Sequence, residues 1–580
     1  MAAWTALLVL AFFVLGYRYW ASHVGTRVFG EHPQLKTPAH THYDGKDFVP
    51  TPRSILLGHH FTSIAGAAPI IGPCVAAYWG WIPALTWVVI GCVFIGGVHD
   101  YGALVVSARE EGRSIADIAG SVMNHRVRIL FLCFVVVLVW LVLAVFSMAI
   151  AGLFTKNPSS VIPVNFEIGV AVAIGWLIHK RNTPAMIPSI VALILLYVSI
   201  GVGVLVPVSL TDFGVAEEAQ QTTWILLLLA YSSAASLLPV WLLLQPRDYI
   251  NSHQLFLGLA LLFLGLFVSW PDFDAPAIRV GNDDAPPMVP ILFVTIACGA
   301  ISGFHGLVSS GTTSKQLTRM PDARSIGYGA MLGEGALALA STMAAVAGIG
   351  LVSECELPGG RHVENLSWGN YYDSWSHAGG YKAAAFVLGG AAFLESLGIP
   401  TQIARTLMAV LVISFAATSL DTATRIQRFI FAEMGKAVRV PLLQQRYFGT
   451  ALAVVPAAVL ALGETGAGTN PRAIGWVLWP IFGASNQMLA ALVLLTLTLY
   501  FCRKNRPIAP LAIPAVIVTL AAASALLTKL HGFIHAGDWL LSLVAVGLLT
   551  MLVWIGVEGA RSFRQIQLEK REAPLKDRAS

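Results

Sequence analysis

Mostly apolar runs separated by short polar stretches recur fifteen times along the chain, at 3-22, 54-77, 82-108, 127-155, 162-179, 185-207, 223-243, 254-270, 289-312, 326-352, 402-432, 447-463, 472-501, 507-528 and 538-558. A helix that crosses about 30 Å of hydrocarbon needs about 20 such residues, so each run is read as a membrane span. The polar stretches test the count, because loops on the cytoplasmic side carry an excess of Lys and Arg. Arg27, Lys36, Lys46 and Arg53 fall in the first loop, Arg109, Arg113, Arg126 and Arg128 in the third, Lys180 and Arg181 in the fifth. Arg247 follows, then Lys315, Arg319 and Arg324, then Lys436, Arg439 and Arg446, then Arg503, Lys504 and Arg506. All land on one side, with the basic tail of Arg561, Arg564, Lys570 and Arg571. The opposite loops carry Asp212, Glu217 and Glu218, then Asp272, Asp274, Asp283 and Asp284. This alternation predicts an external N-terminus and a cytoplasmic C-terminus. A further apolar run at 383-399 breaks the alternation if it is counted as a crossing, so 353-400 reads as an external loop holding a re-entrant or surface-lying helix.

Composition agrees. Apolar residues make up 56% of the 580 and charged ones 12%, against about 25% charged in soluble proteins, which leaves too little polar surface for several water-soluble domains. The net charge of +5 sits in the orienting loops and implies no nucleic-acid partner. The run from Ala3 to Trp20 has neither a basic leader nor a small-residue cleavage site, and reads as a first span. Cys74, Cys92, Cys133, Cys298, Cys355 and Cys502 show no metal or disulfide spacing and read as small apolar residues. No phosphate-binding loop, GxSxG or HExxH is present, so the sequence does not read as an enzyme, and energy for uphill transport falls to an ion gradient.

Two spans are interrupted. The second contains Gly58-His59-His60-Phe61-Thr62-Ser63-Ile64-Ala65-Gly66-Ala67-Ala68-Pro69, and the ninth Ile301-Ser302-Gly303-Phe304-His305-Gly306-Leu307-Val308-Ser309-Ser310-Gly311. Gly, Pro, hydroxyls and His at membrane depth predict unwound backbone, and matched breaks in oppositely oriented halves point to an inverted repeat with the substrate between them. The halves are 54-207 and 289-501, preceded by a first span and loop at 1-53, separated by two additional helices at 208-288, and followed by two spans and a tail at 502-580. The alternative, small residues that only let helices pack closely, explains the Gly but not the paired His.

Candidate substrate contacts are His60, Thr62, Ser63, Gly66, Ser302, Gly303, His305, Ser309 and Ser310. In Ala417-Thr418-Ser419-Leu420-Asp421-Thr422-Ala423-Thr424-Arg425, the residues Thr418, Asp421, Thr422 and Arg425 share a helix face. They read either as an ion or proton site or, for Asp421 with Arg425, as a structural pair. His59, His99, Asp100, Glu334, Asn486 and Gln487 are further intramembrane polar residues, each open to a pathway or an anchoring role, with Asp100 and Glu334 candidates to carry a proton. Separate histidines give no metal-ligand spacing.

These stretches, with Leu478-Trp479-Pro480-Ile481-Phe482-Gly483-Ala484-Ser485-Asn486-Gln487-Met488-Leu489-Ala490, resemble the carbon starvation protein family (CstA) over about residues 50 to 500. The resemblance implies an all-α LeuT-type core of five plus five helices and a carrier of the bacterial inner membrane. Its implied cargo is pyruvate, with protons, or short peptides, used in starvation. It also implies that Thr418 and Ser419 look like the hydroxyl pair that holds an ion in sodium-coupled relatives, beside Ala65. The chain is shorter than typical members, mostly after residue 500. No cofactor is expected beyond a coupling proton or sodium ion, and the partners expected are a small carboxylate or peptide and the lipid bilayer. A sodium-coupled amino acid or peptide carrier, a passive channel and a non-transporting nutrient sensor stay open, as does the oligomeric state.

Overall fold

The chain folds almost entirely into helices. The computed structural model describes residues 1–30, 33–181, 184, 186–280, 285–357, 361–381, 383–465 and 472–576. Asp283 and Asp284, two of the acidic loop residues, lie outside them. Among the described residues, 11 helices are long and apolar enough to cross a membrane, and 12 when the pair Arg53–Ile64 and Ala68–Trp79, bent by 46°, counts as one. The protein is a multi-pass membrane protein.

The expected count of fifteen exceeds this, for reasons that differ by segment. The run at 289-312 is divided into Met288–Thr295, Ala297–Ala300 and Gly303–Gly311. The run at 223-243 lies in Gln220–Leu237, where Gln220, Gln221, Thr222, Thr223 and three serines dilute the apolar character. The run at 447-463 forms Arg446–Leu462, a helix of only 17 residues.

Burial separates a core from a periphery. In Met320–Leu351, Thr401–Val438 and Val477–Arg503, 89% of the most apolar window is covered by other helices, against 33% in Ala2–Phe29 and Trp539–Glu572. The terminal helices therefore leave most of their apolar surface to lipid. At the centre, the first half of the bent pair packs on Gly303–Gly311 and its second half on Ala297–Ala300, so the two interrupted spans cross antiparallel. Within 353-400, strands Glu354–Leu357 and Arg361–Glu364 pair antiparallel, and the Ala384–Glu395 helix is buried against Leu244–Ser269 and Thr401–Val438. At 12 residues, or about 18 Å, that helix is too short to cross.

The segment before the bent pair folds back on the core. Thr51 pairs in parallel with Leu317, and its N–H donates to Gln316 O at 3.1 Å. Asp47 accepts from Arg425 Nη1 at 2.7 Å and from Arg428 Nη2 at 3.5 Å. Burial alone would raise the Asp47 carboxyl, but Arg425, Arg428 and Lys315 outweigh it and hold the group below its usual range. Lowered in the folded state, it contributes stability above its ordinary pKa and loses it only as pH falls through the depressed value, so this contact stays charged across physiological pH.

Close approach of the backbones depends on glycine at two positions. A Cβ on Gly303 would lie 2.4 Å from Leu489 Cβ and 2.6 Å from Asn486 O, and one on Gly66 would lie 2.6 Å from Ser419 Oγ. Gly303→Ala is therefore expected to destabilise by about 1–3 kcal/mol. Gly169→Ala, with nothing within 4 Å of its Cβ, is expected to be neutral or stabilising through helix propensity. Thermal midpoints in detergent distinguish the two signs.

Candidate functional site

Both interruptions are built from local backbone chemistry. Arg53–Ile64 ends where Ala65 leaves helical geometry at φ −76° and ψ 55°. Gly66 N–H then donates to Ile64 O at 2.8 Å in a tight turn. The chain becomes helical again at Ala68, with Pro69 in the first turn, where a missing N–H costs little. In the other span Ile301 and Ser302 are extended, and Gly303–Gly311 follows. Neighbouring helices supply the hydrogen bonds these turns lack. Ser419 Oγ donates to Ser63 O at 3.2 Å, and Asn486 Oδ1 accepts from Phe304 N–H at 3.0 Å while its amide donates to Ser302 Oγ at 3.0 Å.

Between the interruptions lies a small cavity of about 10 Å³, room for roughly one water, walled by Ile64, Gly66, Ser302, His305, Ser419 and Phe482 among others. A larger space of about 280 Å³ lies beyond it, toward Trp375 and Lys529. Ala68, Cys298 and Phe482 line both, so only a thin partition separates them.

Behind the cavity wall, two carboxylates meet the wall residue His305. His305 Nδ1 lies 3.0 Å from Asp100 Oδ2, and its Nε2 lies 3.1 Å from Glu334 Oε2. His99 Nδ1 lies 2.7 Å from the other Asp100 oxygen. All four residues are buried, at 1% exposure or less. The Glu334 contact has ion-pair distance but is off the hydrogen-bond line, and neither Glu334 oxygen has a hydrogen bond among the described residues. One imidazole between two carboxylates can hold a proton on its own Nε2 or yield it to Glu334.

A second chain of charges runs behind the first interruption. Arg247 places Nη1 2.5 Å and Nη2 3.0 Å from the two Asp421 oxygens, and Nη2 2.8 Å from Asp248. The far Asp248 oxygen is 2.5 Å from His59 Nδ1, which lies 3.4 Å from Ser63 Oγ. Ser63 is also 3.4 Å from Thr422 Oγ1. Asp421 is thus linked through Arg247, Asp248, His59 and Ser63 to the turn at Ala65. The candidate pairing of Asp421 with Arg425 does not form: Arg247 takes Asp421, and Arg425 turns to Asp47.

Of the candidate substrate contacts, Gly66, Ser302 and His305 line the cavity, as does Ser419 from the ion-coupling set. The others do not reach it. His60 lies 2.9 Å from Thr313 Oγ1, Thr62 bonds back to Gly58 O, and Ser310 accepts from Ile115 N–H. Gly303 packs on Leu489, and the Ser309 hydroxyl is buried with no partner among the described residues. Thr418 accepts from Asn251 Nδ2 at 3.1 Å. Gln487 is buried with its amide unpartnered among the described residues. Among the described residues no group of three or more His, Cys, Asp or Glu is arranged for a metal ion.

The family described as Carbon starvation protein CstA matches residues 1–356 and 370–525. The chain belongs to the CstA family. A peptide transporter CstA of Campylobacter jejuni is 30% identical over 559 residues, covering 90% of this chain and 79% of its own. A pyruvate/proton symporter, BtsT, of Escherichia coli is 31% identical over 591 residues, covering 91% and 82%. Among solved structures, a manganese transporter of Eremococcus coleocola aligns at a TM-score of 0.45 and 12% identity over 90% of this chain and 99% of that one.

In this CstA family member, sequence reading missed Arg247 and Asp248. The apolar run begins at 254, whereas the helix begins at Leu244, so its charged first turns read as loop. A signal was present: Asp421 inside a span needs a cation, and Arg247 stands at the edge of another. Arg247→Met is expected to cost about 3–5 kcal/mol by leaving Asp421 buried and uncompensated. Arg247→Met combined with Asp421→Leu is expected to recover most of it. The yield of monodisperse protein and its thermal midpoint test both.

Proposed function

We propose that this protein is a secondary active transporter that imports pyruvate, or short peptides bearing a carboxylate, together with protons. The observation that carries the reading is His305, which stands on the cavity wall between Asp100 and Glu334. Substrate and proton then share one residue, and a cargo anion in the cavity changes the field that decides where the proton sits. The relatives, a peptide transporter and a pyruvate/proton symporter, support both cargo classes and proton coupling.

The rest of the architecture is read accordingly. Fifteen crossings place the N-terminus outside and the C-terminus in the cytoplasm of a bacterial inner membrane, in agreement with the charge of the loops. Residues 54-207 and 289-501 form two inverted halves of five helices, a reading supported by the antiparallel crossing of the interrupted spans. The cavity is closed down to about the room of one water in this conformation and takes substrate at Gly66, Ser302 and His305 once it widens, the interrupted helices letting it open to either side. Ala65, Thr418, Ser419, Asp421 and Thr422 link the turn at the cavity to the second charge chain. A proton fits this set better than sodium. The guanidinium of Arg247 already stands at Asp421, where a bare cation would bind, and Thr418 is engaged with Asn251.

Uptake of labelled pyruvate into proteoliposomes tests the reading, with an imposed pH gradient, with and without sodium, and with unlabelled dipeptides as competitors. Accumulation that follows the pH gradient and ignores sodium is expected. Loss of flux for pyruvate and dipeptides alike rejects it. Glu334→Gln, which keeps the volume and removes the titrating group, is expected to abolish accumulation against a gradient while exchange of internal for external substrate persists. Full uphill transport by that variant removes Glu334 from the coupling.

A further inference from the structure

We infer that Lys529 makes the space beyond the cavity an anion-collecting vestibule, the first site at which a carboxylate cargo is held. The inference rests on the transport reading above. Lys529 belongs to Ala509–His535, a helix outside both proposed five-helix halves, so its cation is no part of the cavity already described. It is half-buried and lines the larger space with Ile71 and Val294 from the two interrupted spans and Trp479 from Ile474–Arg503.

Three observations converge on this residue. Among the described residues, Lys529 is the one charged side chain on that lining. No ion pair or hydrogen bond joins it to another described residue, although a Lys inside an apolar span is costly and is normally paired or drawn to the interface. The remaining walls are mostly apolar, so the field of a single ammonium is weakly screened and concentrated on whatever anion enters. The route onward is short. The vestibule and the cavity share Ala68, Cys298 and Phe482, and beyond that partition stands His305. A carboxylate held at Lys529 therefore waits in the space that adjoins the cavity of His305. The chemical class selected is a small monocarboxylate, or the C-terminal carboxylate of a short peptide.

The test is initial-rate uptake of labelled pyruvate into proteoliposomes across a range of concentrations, for the full-length protein and for Lys529→Met and Lys529→Arg. Lys529→Met is expected to raise the half-saturating concentration about fivefold or more with a maximal rate within about twofold of wild type, and to flatten the dependence of that concentration on ionic strength. Lys529→Arg is expected to restore both. A Lys that only anchors its helix at the membrane surface moves neither quantity, so an unchanged half-saturation in an actively transporting Lys529→Met overturns this inference alone. If wild type takes up a labelled dipeptide but not pyruvate, the same comparison with the dipeptide decides it by the same criterion. If wild type takes up neither, the transport reading falls and the vestibule assignment falls with it.

Discussion

An interrupted helix inside a bilayer exposes backbone N–H and C=O groups that no lipid can satisfy, so the protein must bring partners to them. That requirement organises the centre of this molecule. Ser419 answers the end of the first interrupted span, and Asn486 answers the start of the second. The helices bearing these side chains, Thr401–Val438 and Ile474–Arg503, are held next to the turns by those bonds. Gly66 and Gly303 let them come close enough to make them. Unwound backbone, close packing and capping polar side chains are thus one arrangement, and the cavity is the space the turns leave between them.

The same solvent dictates how the ionisable groups are placed. A charge far from water needs a counter-charge with good geometry, and several of those near the centre have found one, on a neighbouring helix or on their own. Asp421 and Asp248 share Arg247, and Asp100 takes both His99 and His305. Glu334 is the exception: ion-pair distance to His305, without a hydrogen bond. Fully satisfied groups hold helices in place, whereas a carboxylate with one poor contact in a dry site gains a hydrogen bond when it takes up a proton. That contrast separates Asp421 and Asp248, each held by Arg247, from Glu334 beside His305, where a proton has two addresses.

Much of this was legible from residue order alone. The apolar runs located every long helix, and Gly, Pro and hydroxyls at membrane depth located both interruptions within a few residues. What was not legible has a common cause: pairing across helices far apart in sequence. Asp421 and Arg425 lie at the right spacing to pair, yet the rotation of their helix sends Asp421 to Arg247 and Arg425 to Asp47. Asp100, His305 and Glu334 come from three spans, and nothing in their separate surroundings announces that they meet. Hydropathy also misled at Arg247, because a polar first turn reads as loop until a buried partner for it is known. The count of crossings is harder to read than their places: Gln220–Leu237 and Arg446–Leu462 are helices where the apolar runs put them, but too polar or too short to meet the length and apolarity of a full crossing.

The two faces of the cavity differ in what would have to change for it to open. On the side of the 33–52 segment, closure rests on Asp47 with Arg425 and Arg428, on the strand-like pairing of Thr51 with Leu317, and on Gln245, which donates to both Thr51 and Gln316. Several hydrogen bonds and ion pairs must break together there. On the other side the partition at Ala68, Cys298 and Phe482 is made of a backbone turn and three uncharged side chains. The barrier is therefore asymmetric: polar and multiply bonded toward one face, thin and apolar toward the other. A conformation of this kind admits cargo from the vestibule while the opposite face stays shut. Its conversion to the reverse state must release the Asp47 contacts, whose charge does not titrate in the physiological range. Under the proposed coupling, the proton acts at the cavity and the interrupted helices carry its effect outward to those contacts.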